Sequence, residues 1–105
     1  MKIPKRFKLF GQTIEVGFDP DLIDERDWCG SSSHRRNLIK LAPPSITHPR
    51  SNAQIEATFC HEFVHQIFYA AGFKIDGEYA HSNEDVVDIV GNLLHQALTT
   101  MEYEA

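Results

Sequence analysis

The residues best equipped for chemistry lie between positions 61 and 88. The run His61-Glu62-Phe63-Val64-His65 sets two histidines four apart around a glutamate. On an α-helix such a pair differs by about 40° around the axis and about 6 Å along it, so both imidazoles can converge on one ion. Zinc suits that arrangement: it accepts neutral imidazole nitrogen, and a catalytic zinc site uses three protein ligands and leaves a fourth position for water. Glu62 can lean toward that water and take its proton. Metal binding brings the water's pKa near 7, so a carboxylate base suffices at neutral pH. Downstream, Asn83-Glu84 opens a second segment and Asp88 follows one turn later, so Glu84 and Asp88 share a face and Glu84 is a candidate acidic ligand. Glu78 is its nearest rival, but it sits in a connector.

These residues need two helices to hold them. Ser51 with Gln54 three residues on is a capping box, and apolar residues recur at Ile55, Phe59, Phe63, Ile67 and Phe68. A helix of about twenty residues is predicted, ending at Gly72 with Phe73 placed to touch Phe68. The histidine motif then falls in mid-helix, on a face shared with Thr58 and Tyr69, while Cys60 points to the core. After a connector at 74–79, Ser82 with Asp85 starts a second helix running to about Thr100. Val86, Val90, Leu93, Leu94, Ala97 and Met101 are its predicted core face. Gly91 lies on the ligand face of that helix, either as a tolerated mid-helix glycine or as the point where the two helices come close. His95 is about 16 Å along the axis from Glu84, too far for the same ion, and is read as structural. His34 and His48 fall in loops.

Upstream, Arg6–Leu9 and 13–18 alternate in strand fashion around a turn at Gly11, which implies a β-hairpin. Asp19-Pro20 opens a short helical turn to about Arg26. Residues 29–33, Cys-Gly-Ser-Ser-Ser, read as a loop, and 37–41 as a third strand halted by Pro43-Pro44.

The pattern HExxH followed after about twenty residues by NExxxD resembles the gluzincins, the thermolysin-like metallopeptidases. It resembles their minimal bacterial and phage forms and, more distantly, regulatory peptidases of the ImmA/IrrE type. The motifs span residues 54–98. The resemblance implies that Glu84 is the third zinc ligand, that Asp88 orients His61 and that Asn83 supports His65. It also implies an oxyanion donor between the second histidine and the glutamate helix, where Tyr79 and His81 are the candidates, and a rim strand at 37–41 on which an extended peptide aligns. The large second domain of thermolysin-like enzymes has no room in this chain.

At 105 residues the sequence fits one domain, 1–105, with one site. The expected architecture is α+β: a small twisted, largely antiparallel sheet over an active-site helix, followed by the glutamate helix, as in zincins. A net charge of −5 with only short basic pieces argues against nucleic-acid binding. No apolar run reaches the roughly 18 residues of a membrane span and no signal-type segment opens the chain, so a cytoplasmic protein is expected. Cys29 and Cys60 form no CxxC pair and read as small buried residues. The sequence thus points to a zinc-dependent peptidase acting on protein or peptide. The alternatives are a regulatory peptidase with one target, such as a repressor, and a zinc-containing binding module with vestigial activity.

Overall fold

The computed structural model describes residues 1–26, 28–71 and 80–104, with side chains described for 1–23, 28–71 and 84–104. It is a small α+β domain of four strands and two main helices. In chain order the elements are β1 (Arg6–Leu9), β2 (Gln12–Phe18), α1 (Asp21–Arg26), β3 (Gly30–Ser33), β4 (Leu38–Leu41), α2 (Asn52–Ala70) and α3 (Ala80–Thr100). No helix among the described residues is long and apolar enough to cross a membrane.

The strands lie in the order β1-β2-β4-β3. The outer pairings, β1 with β2 and β3 with β4, are antiparallel, and the central β2–β4 pairing is parallel. The expected hairpin is present. It turns through Phe10 at φ +48° and Gly11 at φ +77°, the pair of positive φ values that a two-residue loop needs to match strand twist. Asp19 caps α1 by accepting a hydrogen bond from the Asp21 amide at 3.0 Å.

Three expectations are corrected. Residues 29–33 were expected as a loop because glycine and serine are turn formers; instead Gly30–Ser33 is a strand paired along its length with β4. Asn37 stands outside β4 at φ +52°, a left-handed conformation that asparagine tolerates, and closes the turn from β3. Ser82 does not cap the second helix, which already includes Ala80. The expected end of α2 at Gly72, and the contact with Phe73, lie outside the described residues.

One face of the sheet and one face of α2 make the main core. Ile14, Ile39 and Leu41 meet Ile55, Phe59 and Cys60, with Phe7 edge-on to Phe63 at 4.9 Å between ring centres. A second cluster, Val64 with Val87, seats α3 on α2 and is flanked by Leu94 and Phe68. Here the periodicity of α3 misled: Val87 is fully buried, whereas the expected core residues Val86, Val90, Leu93 and Met101 are exposed.

Candidate metal centre

The phase of α2 is fixed before any ligand is considered. Ser51 Oγ accepts from the Gln54 amide at 3.1 Å while Gln54 Oε1 accepts from the Ser51 amide at 2.8 Å, the reciprocal cap that the sequence implied. With Ile55, Phe59, Cys60 and Val64 turned inward, Thr58, His61, Glu62 and His65 line a cavity of about 640 Å³.

Strand β3 forms one wall and lies unusually close. A Cβ at Gly30 would stand 2.7 Å from Thr58 Cγ2 and 3.2 Å from Glu62 Cγ, so only glycine admits this approach. Two polar clamps hold it there. Buried Gln66 donates from Nε2 to Ser32 Oγ at 2.8 Å and to the Ser33 carbonyl at 3.2 Å. At the other end Arg50 donates to the carbonyls of Cys29 at 3.3 Å and Ala42 at 2.7 Å, and to Thr58 Oγ1 at 2.6 Å. None of Gly30, Ser32, Gln66 or Arg50 was picked out in the sequence. The only signals were an arginine directly before the helix cap and a glutamine directly after the second histidine.

Helix α3 forms the opposite wall. A Cβ at Gly91 would fall 2.9 Å from His61 Cα, so of the two readings of this glycine the close approach of helices holds. That contact brings Glu84 Oε1 to 2.7 Å from His61 Nε2 and 3.1 Å from His65 Nε2. One ligand atom from each residue lies within 4.8 Å of the others. Asp88 Oδ1 is 3.5 Å from His61 Nδ1, on the side of the ring away from Glu84. Among the described residues, Glu62 Oε2 and His65 Nδ1 are buried polar atoms with no hydrogen-bond partner.

The electrostatics follow from this packing. Burial pushes the Glu62 carboxyl up to about 7, and the negative Glu84 adds to the rise while His61 opposes it. Burial also holds the His65 imidazole below its ordinary value, against the pull of Glu84, which favours the neutral ring that a metal requires. For Glu84, burial alone would raise the pKa, but the adjacent His65 and His61 outweigh it and keep the carboxylate ionised.

The donor set fits zinc. Two imidazole nitrogens and a carboxylate oxygen converge, and beside them sits the buried Glu62 carboxylate, with Oε2 unpartnered among the described residues. The structure brings together His61, Glu62, His65, Glu84 and Asp88 of the residues singled out in the sequence. Tyr79 lies outside the described residues. His81 and Asn83 belong to the backbone of α3, and their side chains are outside the description. His95 is indeed structural: its Nε2 is 3.1 Å from Glu56 Oε1, which also meets the N-terminal amine at 3.2 Å.

Two expectations near the site are corrected. Cys60 is buried, but Cys29 is exposed because the chain enters β3 at the domain surface. The strand at 37–41 is no rim: β4 pairs on both sides, with β2 and β3, so its backbone has no free edge. Among the described residues the edge strands are β1 and β3, and of the two it is β3 that lines the cavity.

No protein-family model matches the chain, and no curated protein or solved structure matches it.

Proposed function

We propose that this protein is a zinc-dependent peptidase of the zincin type, with gluzincin-like ligands His61, His65 and Glu84 and with Glu62 as general base. One observation carries the reading: three metal-type donor atoms converge beside the buried Glu62 carboxylate, whose Oε2 has no hydrogen-bond partner among the described residues. A bound zinc supplies Lewis acidity, polarising the scissile carbonyl and acidifying the attacking water.

The chain's own groups supply the rest. Glu62 Oε2 takes a proton from that water and passes it to the leaving amine nitrogen, and its raised pKa suits both halves of the transfer near neutrality. Asp88, with Oδ1 3.5 Å from His61 Nδ1, would favour the tautomer protonated at Nδ1 and leave Nε2 free for a metal. The free edge of β3 offers backbone groups to an extended peptide, which would lie across the mouth of the cavity as an added strand.

Elemental analysis should find one zinc per chain. Glu84→Ala should weaken zinc strongly and Glu78→Ala should not. Glu62→Gln should keep zinc and abolish hydrolysis, because an amide cannot take the proton. Hydrolysis by Glu62→Gln at the wild-type rate would sink the assignment. A narrower reading, a regulatory peptidase confined to one protein target, draws on the shortness of β3. Four residues supply few backbone hydrogen bonds, so binding energy must come from the rest of the target. Cleavage of a candidate regulator with casein left intact would favour it. A zinc-loaded chain that cleaves nothing would instead favour a binding module.

A further inference from the structure

The apolar face that the sequence marks on α3 and the face that the fold buries are not the same. Val87, Gly91 and Leu94 seat the helix on α2. Beside them runs a second stripe, exposed along its whole length: Val86 at 46%, Val90 at 39%, Leu93 at 60% and Met101 at 51%, with exposed Ala97 between and Ile89 at 59% on the flank. At 100° per residue the five stripe positions fall within about 80° of one another around the axis and span about 22 Å along it. Glu84, Asp85 and Asp88, the acidic residues of α3, all lie off the stripe, so it carries no charge.

The stripe is also symmetric. Its positions are arranged evenly about a point between residues 93 and 94, so that 86 matches 101, 90 matches 97, and 93 lies half a residue from the centre, beside its own copy. We infer that this face pairs with the same face of a second copy, α3 running antiparallel to α3 across a two-fold axis near Leu93. In that register Val86 meets Met101 and Val90 fills the space beside Ala97, an isologous contact with apolar groups opposite apolar groups throughout. The exposed stripe amounts to on the order of 400 Å² per chain, the size of a functional patch and not of scattered apolar residues. Two copies with their rim bury roughly 1,000 Å², which places the dimer in the weak, reversible class. Each chain carries a net charge of −5, so the partners repel and salt should tighten the pair.

Sedimentation equilibrium of the full zinc-loaded chain, from about 10 μM to about 1 mM, tests the pairing. The expected mass rises with concentration from 12.0 kDa toward twice that value, with a lower midpoint in higher salt. Leu93→Glu should weaken association at least tenfold with its helical dichroism unchanged, because Leu93 is exposed in the single chain. Phe10→Ser, at an exposed apolar residue far from α3, should leave association as it is. In a Cys29→Ser background, Val86→Cys mixed with Met101→Cys should cross-link on oxidation, whereas Val86→Cys alone should not. A mass of 12.0 kDa throughout, an undiminished dimer in Leu93→Glu, or ready cross-linking of Val86→Cys alone would each overturn the inference. None of these readouts depends on hydrolysis, so the pairing and the peptidase reading stand or fall separately.

Discussion

The two helices that share the proposed metal ligands are held in very different ways. Helix α2 is capped at its start, buried against the sheet along one side, tied to β3 by Gln66 and, through Arg50 on Thr58, to Ala42 just past β4. Among the described residues helix α3 makes its major element contacts with α2 alone, through Val87, Gly91 and Leu94, with His95 reaching Glu56 near its far end. One half of the site is therefore built into the core and the other half is docked onto it. The position of the Glu84 carboxylate thus depends on how α3 docks, whereas the core itself places the two histidines.

The largest effect should come from spoiling the docking surface. Gly91→Ala places a Cβ against the His61 backbone, which has no side-chain freedom to yield. A loss of about 2–4 kcal/mol is expected, together with at least a tenfold loss of zinc affinity as Glu84 is carried off. Thermal unfolding and a competitive zinc titration would read both. Gly17→Ala, whose Cβ meets nothing within 4 Å, is the control.

A smaller effect, of opposite sign, tests the built-in half. Burial raises the folded-state pKa of Glu62 from 4.5 to about 7, so the folded chain holds a proton that the unfolded chain has released over that window. Its burial therefore costs stability progressively as pH climbs through the window and fully above it. Glu62→Gln should make the metal-free chain more stable above pH 7, by on the order of 3 kcal/mol at most, and equal to wild type below the unfolded value. Denaturant titrations of chelator-treated protein at pH 4 and pH 8 would check it; equal stabilities at both would show that the carboxylate is better solvated than its packing implies.

The smallest effect concerns the outer end of α3. The His95 hydrogen bond, and after it the terminal ammonium, hold the Glu56 carboxyl below its ordinary 4.5 against the opposing effect of burial. A depressed carboxyl stabilises the fold above its unfolded pKa and ceases to as pH falls through the folded one. Glu56→Gln should cost a few tenths of a kcal/mol at neutral pH and nothing in acid below that range. If it instead costs as much as Gly91→Ala, α3 is held at both ends and the contrast with α2 fails.

The same contrast governs what the sequence disclosed. Local chemistry announced α2: a cap, a period and a motif all named the same residues. The hairpin at Phe10-Gly11 and the position of β4 were legible for similar reasons. Strand β3 was not, because its glycine and serines are chosen for close approach to α2, and a residue that suits tight packing looks the same in a sequence as one that suits a turn. The core face of α3 was misjudged because that helix has apolar residues on two adjacent faces and periodicity cannot say which one the fold uses. Among the ligands, the histidine spacing followed from helix geometry alone, while Glu84 needed the resemblance to a known pattern.

The parallel join at the centre of the sheet has a consequence in time. The two hairpins close over short stretches, Leu9 to Gln12 and Ser33 to Leu38, and such closures take about 1–10 μs. Pairing Glu15 with Leu38 closes a much longer loop and has to follow them, and α2 can pack only once that joined surface exists. The seat of α3 is made of α2, including the His61 backbone itself, so α3 can dock only once α2 has formed, and its docking is expected late in folding. Interactions formed that late change the rate of leaving the native state and not the rate of reaching it. If zinc binds as proposed, it should slow unfolding while refolding proceeds at the rate of the metal-free chain, and the ion would then act as a latch on a domain already folded.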